Sequence, residues 1–429
     1  MVLVASPEDG VRDRTRLTGV DEKMRSFLFL QGGTTPFFAK LSDRLRADGH
    51  AVFRINFNGG DRLYWGRRPA ANFRGALDEL PGFYDEAFRR HGVSDVIAYN
   101  DRRPVHAPAL SLARERGIRA HVFEEGYVRP YFITIERGGV NGNSALPREP
   151  EWYRRAGRKV PQSGPATACP SSLYARAFHD IAYEVASLAN PLLHPRYRTH
   201  VPYNRWVGYA AHVRRFAAWP FRARHDRALI ARLAQDPAPT FLLPLQLESD
   251  AQIRHYSPFG TMSEIITHVM GSFSRHAPPD ARLVIKNHPL DPGFVNFGRL
   301  VARLGREMDV AARVEYVDTG DASALVPRAR GVITVNSTVG MSALMHGRPT
   351  IALGTAIYDL PALTFQGTLD AFWHESQPPD PELVRSFRNV VIHATQVNGG
   401  YYTRQALALA VANTPRLLLT ERTPLEELL

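Results

Sequence analysis

What most restricts this chain is an alternation of short apolar runs with amphipathic segments, and the alternation occurs twice. FLFLQGG (27–33), AVFRINF (51–57), SDVIAYN (94–100) and RAHVFEEG (119–126) have the character of strands. Segments with apolar residues at helical spacing lie between them. After a basic middle the pattern returns with TFLLPLQ (240–246), ARLVIKNHP (281–289), RVEYVD (313–318), GVITVNS (331–337) and PTIALG (349–354). Strands alternating with helices predict parallel sheets covered on both faces. The expected fold class is α/β, with two Rossmann-like domains facing across a cleft and a helical basic insertion between them. The boundaries expected are a loose leader at 1–25, a first Rossmann-like domain at 26–165, the basic linker at 166–237, a second Rossmann-like domain at 238–375, and C-terminal helices at 376–429 that pack back across the join.

Composition narrows the class. An apolar fraction of 44% supports real cores, and no window approaches the uninterrupted apolar run of a spanning helix. The first residues lack the apolar core of a signal peptide, so a cytoplasmic protein is expected. The single cysteine, Cys169, excludes an internal disulfide. The net charge of +11 points to an acidic partner: nucleic acid, anionic lipid or an acidic substrate.

Ligands of such sheets sit at the carboxyl ends of the strands. The polar residues there are the candidates. NSTVG opens a helix, and Asn336, Ser337 and Thr338 would offer hydroxyls and N–H groups to a phosphate, or only cap the helix. KNHP places Lys286 and His288 at a strand tip, where a cation and an imidazole suit a phosphate leaving group. EEGY supplies Glu124 and Glu125. Alternation along a strand lets one of them face the cleft as a general acid/base and leaves the other to structure, for instance an ion pair with Arg129. QLESDAQIR adds Gln246, Asp250, Gln252 and Arg254 on the second domain's rim, with His255 next in sequence. Carboxylates flanking one sugar carbon are the arrangement of retaining glycosyl transfer, one as nucleophile and one as acid/base. Gln31, Gly32, Gly33 and Asn58, after the first two strands, would let backbone approach a ligand closely. No GxGxxG or GxxxxGK[ST] follows the first strand, and no DxD lies near either carboxylate cluster, so neither a dinucleotide, ATP nor a metal is expected.

Taken in order, FLFLQGG, INFNGGD, YND, FEEGYVRPYFITIE, PLQLESDAQIRHYSPF, KNHPLD and VNSTVGMSAL resemble the bacterial capsule polysaccharide β-Kdo transferases over roughly residues 26–400. One copy of the set is similar to the single-module KpsS/LipB type and not to the duplicated KpsC type. The resemblance implies a GT-B-like fold, an acceptor-side first domain, a CMP-sugar-binding second domain and CMP-β-Kdo as donor. It implies retention at the anomeric carbon and addition of the first Kdo to a (lyso)phosphatidylglycerol acceptor at the inner face of the cytoplasmic membrane. Other capsule biosynthesis and export proteins are implied partners. The same motifs are also similar to those of GT-B sialyltransferases.

The stretch 194–232 is rich in Arg and His, with Trp206, Tyr209, Trp219 and Phe221 interleaved. It is expected to be either a membrane-surface face or a solvated linker. Two other classes stay open: a non-catalytic capsule assembly or export component, and a nucleic-acid binder. The second has only charge in its favour and no recognisable motif, so no nucleic-acid partner is expected.

Overall fold

The computed structural model describes residues 24–198, 215, 222–233, 235–248, 251–320 and 324–429. Most of the leader, the four aromatic residues of the basic stretch, and Asp250 lie outside the described residues.

The first sheet contains β1 (Ser26–Phe29), β2 (Ala51–Asn56), β3 (Ala71–Asn72), β4 (Asp95–Tyr99), β5 (Arg119–Glu125) and β6 (Phe132–Arg137). A seventh strand, β12 (Gln396–Asn398), comes from the C-terminal segment, and the order is β12-β6-β5-β4-β1-β2-β3. The second sheet holds β7 (Thr240–Pro244), β8 (Arg282–Lys286), β9 (Val314–Val317), β10 (Gly331–Thr334) and β11 (Thr350–Ala352), ordered β11-β10-β7-β8-β9. Its pairings are all parallel. The result is a pair of Rossmann-like units in a GT-B-like arrangement.

The first sheet departs from the all-parallel expectation. β6 runs antiparallel to β5, and β12 antiparallel to β6. No helix separates β5 from β6, and so short a connection can only reverse the chain.

Side-chain alternation explains the buried strands. Phe27 and Phe29 enter the core on one face, and Leu28 and Leu30 the core on the other. In the second unit Phe241 and Leu243 pack under the helices Met262–His276 and Phe297–Glu307, while Leu242 faces the opposite side. A third kind of core joins the halves. Tyr127, Val128 and Tyr153 from the first half pack with Leu344, Ile357 and Tyr358 from the second, and with Leu383 and Phe387 of the helix Pro381–Thr395.

Two contacts fix the strand-end loops to each other across the join. Arg102 Nε donates to the Tyr256 hydroxyl at 2.7 Å, and its guanidinium lies 4.9 Å from the centre of that ring. Gly142 faces the same ring so closely that a methyl group there would overlap it.

Candidate active site

The paired glutamates at the end of β5 lie opposite Thr134 and Ile133 of β6. Both are half-buried. The Glu124 Oε2 accepts from Asn100 Nδ2 at 2.9 Å, and its Oε1 from the backbone N–H of Glu125 at 2.9 Å. Asn100 follows β4 with φ of 65°, a left-handed conformation that Asn tolerates better than most residues. Desolvation raises the Glu124 pKa to about 7. The Glu125 N–H, Asn100 and Arg103 oppose the rise, and the Glu125 charge adds to it. Such a carboxyl both gives and takes a proton near neutrality.

Glu125 lies in a different environment. Its Oε1 accepts from Arg176 Nη1 at 3.3 Å and from the Tyr402 hydroxyl at 3.2 Å. The Arg176 guanidinium covers the Tyr402 ring at 5.1 Å. The ion pair therefore forms with Arg176 and not with Arg129, whose Nε donates to the Gly126 carbonyl. Arg176 belongs to the helix Leu173–Ser187, a partner that sequence distance hides.

His288 follows β8 on the second unit. The backbone N–H of Leu290 donates to its Nδ1 at 3.1 Å, which leaves the ring proton on Nε2. Burial is the first cause that lowers its pKa to about 4, and the cations Arg176, Arg129, Lys286 and Arg215 add to it. The imidazole is a neutral N–H donor at physiological pH. Arg176 and Arg129 belong to the first half, so His288 stands within electrostatic reach of the β5 end. Lys286 is buried, and its Nζ donates to the Asn287 carbonyl at 2.5 Å. Asn287 in turn donates to Asp291 at 3.1 Å and Asp318 at 2.9 Å, both of which pair with Arg215.

Ser337 caps the helix Thr338–Met345, its Oγ accepting from the Val339 N–H at 3.2 Å. Capping uses the Ser337 side chain, and half-buried Thr338 occupies the first turn beside it. The Gln246 amide donates to Asn336 Oδ1 at 2.9 Å and accepts from the Asn336 N–H at 3.3 Å, joining two strand-end loops. The Tyr358 hydroxyl donates to the Ser337 carbonyl at 2.6 Å, and at Gly340 a methyl would strike that hydroxyl. Asn336 and Thr338 meet Tyr127 and Asn141 of the first half around a cavity of about 30 Å³.

Other expected site residues have structural duties. Asn58 is fully buried, caps the helix Gly59–Trp65 and donates to the Tyr183 hydroxyl at 2.8 Å. The Gln31 amide reaches Asp61, Tyr183 and Tyr197, and its Oε1 accepts from Arg103 at 3.2 Å. Both side chains are engaged in a buried network around the Arg54–Asp61 ion pair at 3.0 Å. Gly32 offers its carbonyl to Arg103 at 2.7 Å, and Gly33 lies against Tyr99. At Gly59 a methyl would overlap the Ala186 carbonyl, so the glycines of NFNGG serve helix packing. Glu248, in the polar run after β7, accepts from the Met262 N–H at 2.9 Å. Arg254 is exposed on the helix Ala251–Tyr256, as is His255; the Gln252 side chain lies outside what is described.

The main residues that sequence reasoning missed are Arg176, Tyr401 and Tyr402. The Tyr401 hydroxyl donates to the Glu124 carbonyl at 3.0 Å, and Tyr402 holds Glu125. They reach the site from a segment about 280 residues later, and no local spacing announces that.

Residues 94–402 match a family model described as capsule polysaccharide biosynthesis protein. The chain belongs to this family. The matched segment runs from the residue before β4 to Tyr402, and so takes in the glutamate pair, His288, the Ser337 cap and the tyrosines. The chain is 36% identical over 379 residues to the capsule polysaccharide export protein KpsS of Escherichia coli, covering 88% of this chain and 97% of that protein. It is 33% identical over 402 residues to the capsule polysaccharide modification protein LipB of Neisseria meningitidis serogroup B, covering 91% and 95%. A solved structure of Thermosulfurimonas dismutans KpsC, beta Kdo 2,7 transferase, aligns with 91% of this chain and 98% of that one at 16% identity and a TM-score of 0.41. Among the described residues no helix is long and apolar enough to cross a membrane.

Proposed function

We propose that this capsule biosynthesis protein is a retaining β-Kdo glycosyltransferase that uses CMP-β-Kdo and adds the first Kdo to a (lyso)phosphatidylglycerol acceptor at the inner face of the cytoplasmic membrane. The observation that carries the reading is that two groups suited to this chemistry stand at strand ends of the two sheets: the Glu124 carboxyl, held by Asn100 Nδ2 and the Glu125 N–H at 2.9 Å each with its pKa raised to about 7, and the His288 imidazole, whose Nδ1 accepts from the Leu290 N–H so that Nε2 carries the proton. In this scheme the Asp250 carboxylate attacks the anomeric carbon as the bond to the CMP phosphate oxygen breaks. His288 Nε2–H, the Lys286 charge and the helix end at Ser337 and Thr338 stabilise the departing phosphate without a metal ion. An acceptor hydroxyl then attacks the glycosyl-enzyme, passes its proton to Glu124, and releases the Asp250 carboxylate. Retention places the product in the β configuration of the donor. Other capsule biosynthesis and export proteins would work beside it.

The E. coli relative is named for export, which favours a second reading as a non-catalytic assembly component. One experiment separates the two. The protein is incubated with CMP-Kdo generated in situ and a phosphatidylglycerol analogue, and the linkage is assigned by NMR. The expected result is a β-linked product from the unaltered protein and none from Asp250→Ala. Full transfer by Asp250→Ala, or an inverted linkage, would falsify the retaining scheme. No transfer by the unaltered protein would favour the assembly role.

A further inference from the structure

The helix Leu173–Ser187 and the short helix Asn190–Leu193 have two faces of opposite character. On the inner face Tyr183 and Ser187 press on Gly59 and Gly60, Asp180 accepts from the Thr34 hydroxyl, and Arg176 pairs with Glu125. The outer face holds Tyr174, Phe178, Ile181, Val185, Leu188 and Leu192. Their spacing of three and four residues lines them up in one stripe. Exposure runs from 48% at Leu188 to 90% at Tyr174, and Leu63 on the adjacent helix Gly59–Trp65 adds to the patch. A helix that shows this face to water carries polar residues there. Here six positions in register are large and apolar, a density that marks an interaction surface.

Two further observations identify what the surface meets. Leu173, the residue just before the first stripe position Tyr174, lines a cavity of about 310 Å³ together with Glu125, Arg129, Phe132, Arg176 and Tyr402. Cations border its far end. Arg74 Nη2 donates to the Leu192 carbonyl at 2.9 Å, Arg62 and Arg74 lie within electrostatic reach of His194, and just beyond are exposed Arg198 and Arg196, the latter paired with Glu79 at 2.7 Å. We propose that the stripe seats the protein on an anionic phospholipid bilayer. The cavity at its Leu173 end admits the headgroup, so that an acceptor hydroxyl reaches the end of β5 while its acyl chains stay in the membrane; this rests on the lipid-acceptor reading above. Large apolar side chains enter the interface, with Tyr174 at its polar boundary, and the flanking arginines meet lipid phosphates. A second copy of this chain fits less well, because it would bring two arginine borders of a +11 chain together.

Flotation of the full-length protein tests this without any sugar donor. The unaltered protein is expected to float with vesicles of phosphatidylglycerol and phosphatidylcholine, and much less with phosphatidylcholine alone. Phe178→Asp/Ile181→Asp is expected to lower the partition coefficient by about tenfold or more. Melting temperature and far-UV circular dichroism check folding, and Val185→Ser/Leu188→Ser is a milder second probe of the same face. Flotation of both variants like the parent, or equal binding of the parent to neutral vesicles, overturns the proposal. So does a parent dimer, seen by sedimentation, that these changes split and that binds no lipid. A protein that floats through this face yet transfers no Kdo leaves the surface standing and removes the glycosyltransferase reading. One that modifies a soluble acceptor yet never floats does the reverse.

Discussion

Asn100 Nδ2 donates to Glu124 Oε2 at 2.9 Å, so a residue in left-handed backbone after one strand tempers the acidity of a carboxyl at the end of the next. The bond favours the ionised form and works against the desolvation that lifts the glutamate pKa to about 7. If Glu124 is the base, kcat/KM for transfer rises with pH through about 7 and levels above it. Glu124→Gln removes that limb along with most of the rate. Asn100→Ala takes away a stabilising donor and moves the limb to higher pH. A limb that stays in place in Asn100→Ala would contradict the assignment.

His288 contributes no ionisation of its own between pH 5 and 8, because burial and the facing arginines hold its pKa near 4. In the proposed reaction its role is to donate from Nε2. His288→Ala is expected to lower kcat/KM for the CMP-sugar by on the order of 10- to 100-fold, the worth of a hydrogen bond to a charged group. His288→Gln carries an amide N–H near the same place and should recover part of the loss. Equal losses in the two variants would mean that the ring serves packing and not donation.

Glu136 links pH to stability. It is buried, accepts from the Tyr127 and Ser144 hydroxyls at 2.6 Å each, and has its pKa raised by burial from 4.5 to about 7. The folded value lies above the unfolded one. The associated stabilisation is therefore complete below about pH 4.5 and is lost as pH climbs through about 7, on the order of 3 kcal/mol in all. Glu136→Gln should melt progressively higher than the parent, relative to their difference at pH 5, as pH is taken to 8. Parallel melting curves across that range would refute the linkage.

Gly142 packs on the Tyr256 ring where the halves meet, so Gly142→Ala overpacks the joint. A cost of about 1–3 kcal/mol is expected from thermal or urea unfolding. Removing the ring in Gly142→Ala/Tyr256→Ala should give a double-mutant coupling that offsets part of it. Additive effects would place the strain elsewhere.

Much of the fold was legible because it depends on period. The strand runs of both halves are short, apolar and bounded by glycine or polar turns, and each of them carries a strand. β3, β6 and β12 escaped notice for physical reasons. β3 and β12 are two and three residues long, and β6 follows β5 too closely for the βα rhythm. Positions at strand ends were legible, and Glu124 and His288 stand at the ends of β5 and β8. It was opaque where long-range packing decides a side chain's use. Nothing within QGG or NFNGG says that Gln31 and Asn58 face Tyr183, and nothing near EEGY says that Arg176 and Tyr402 will hold its second carboxylate.

β12 has a consequence for biosynthesis. Residues 396–398 seal the outer edge of β6, and Tyr401 and Tyr402 just beyond them brace the glutamates. A chain that contains all of β1–β6 but stops before residue 396 has an open edge at β6 and lacks the tyrosines that brace the two glutamates. On the proposed reading, transfer activity thus waits on the last tenth of translation, and a chain truncated before residue 396 is expected to be inactive.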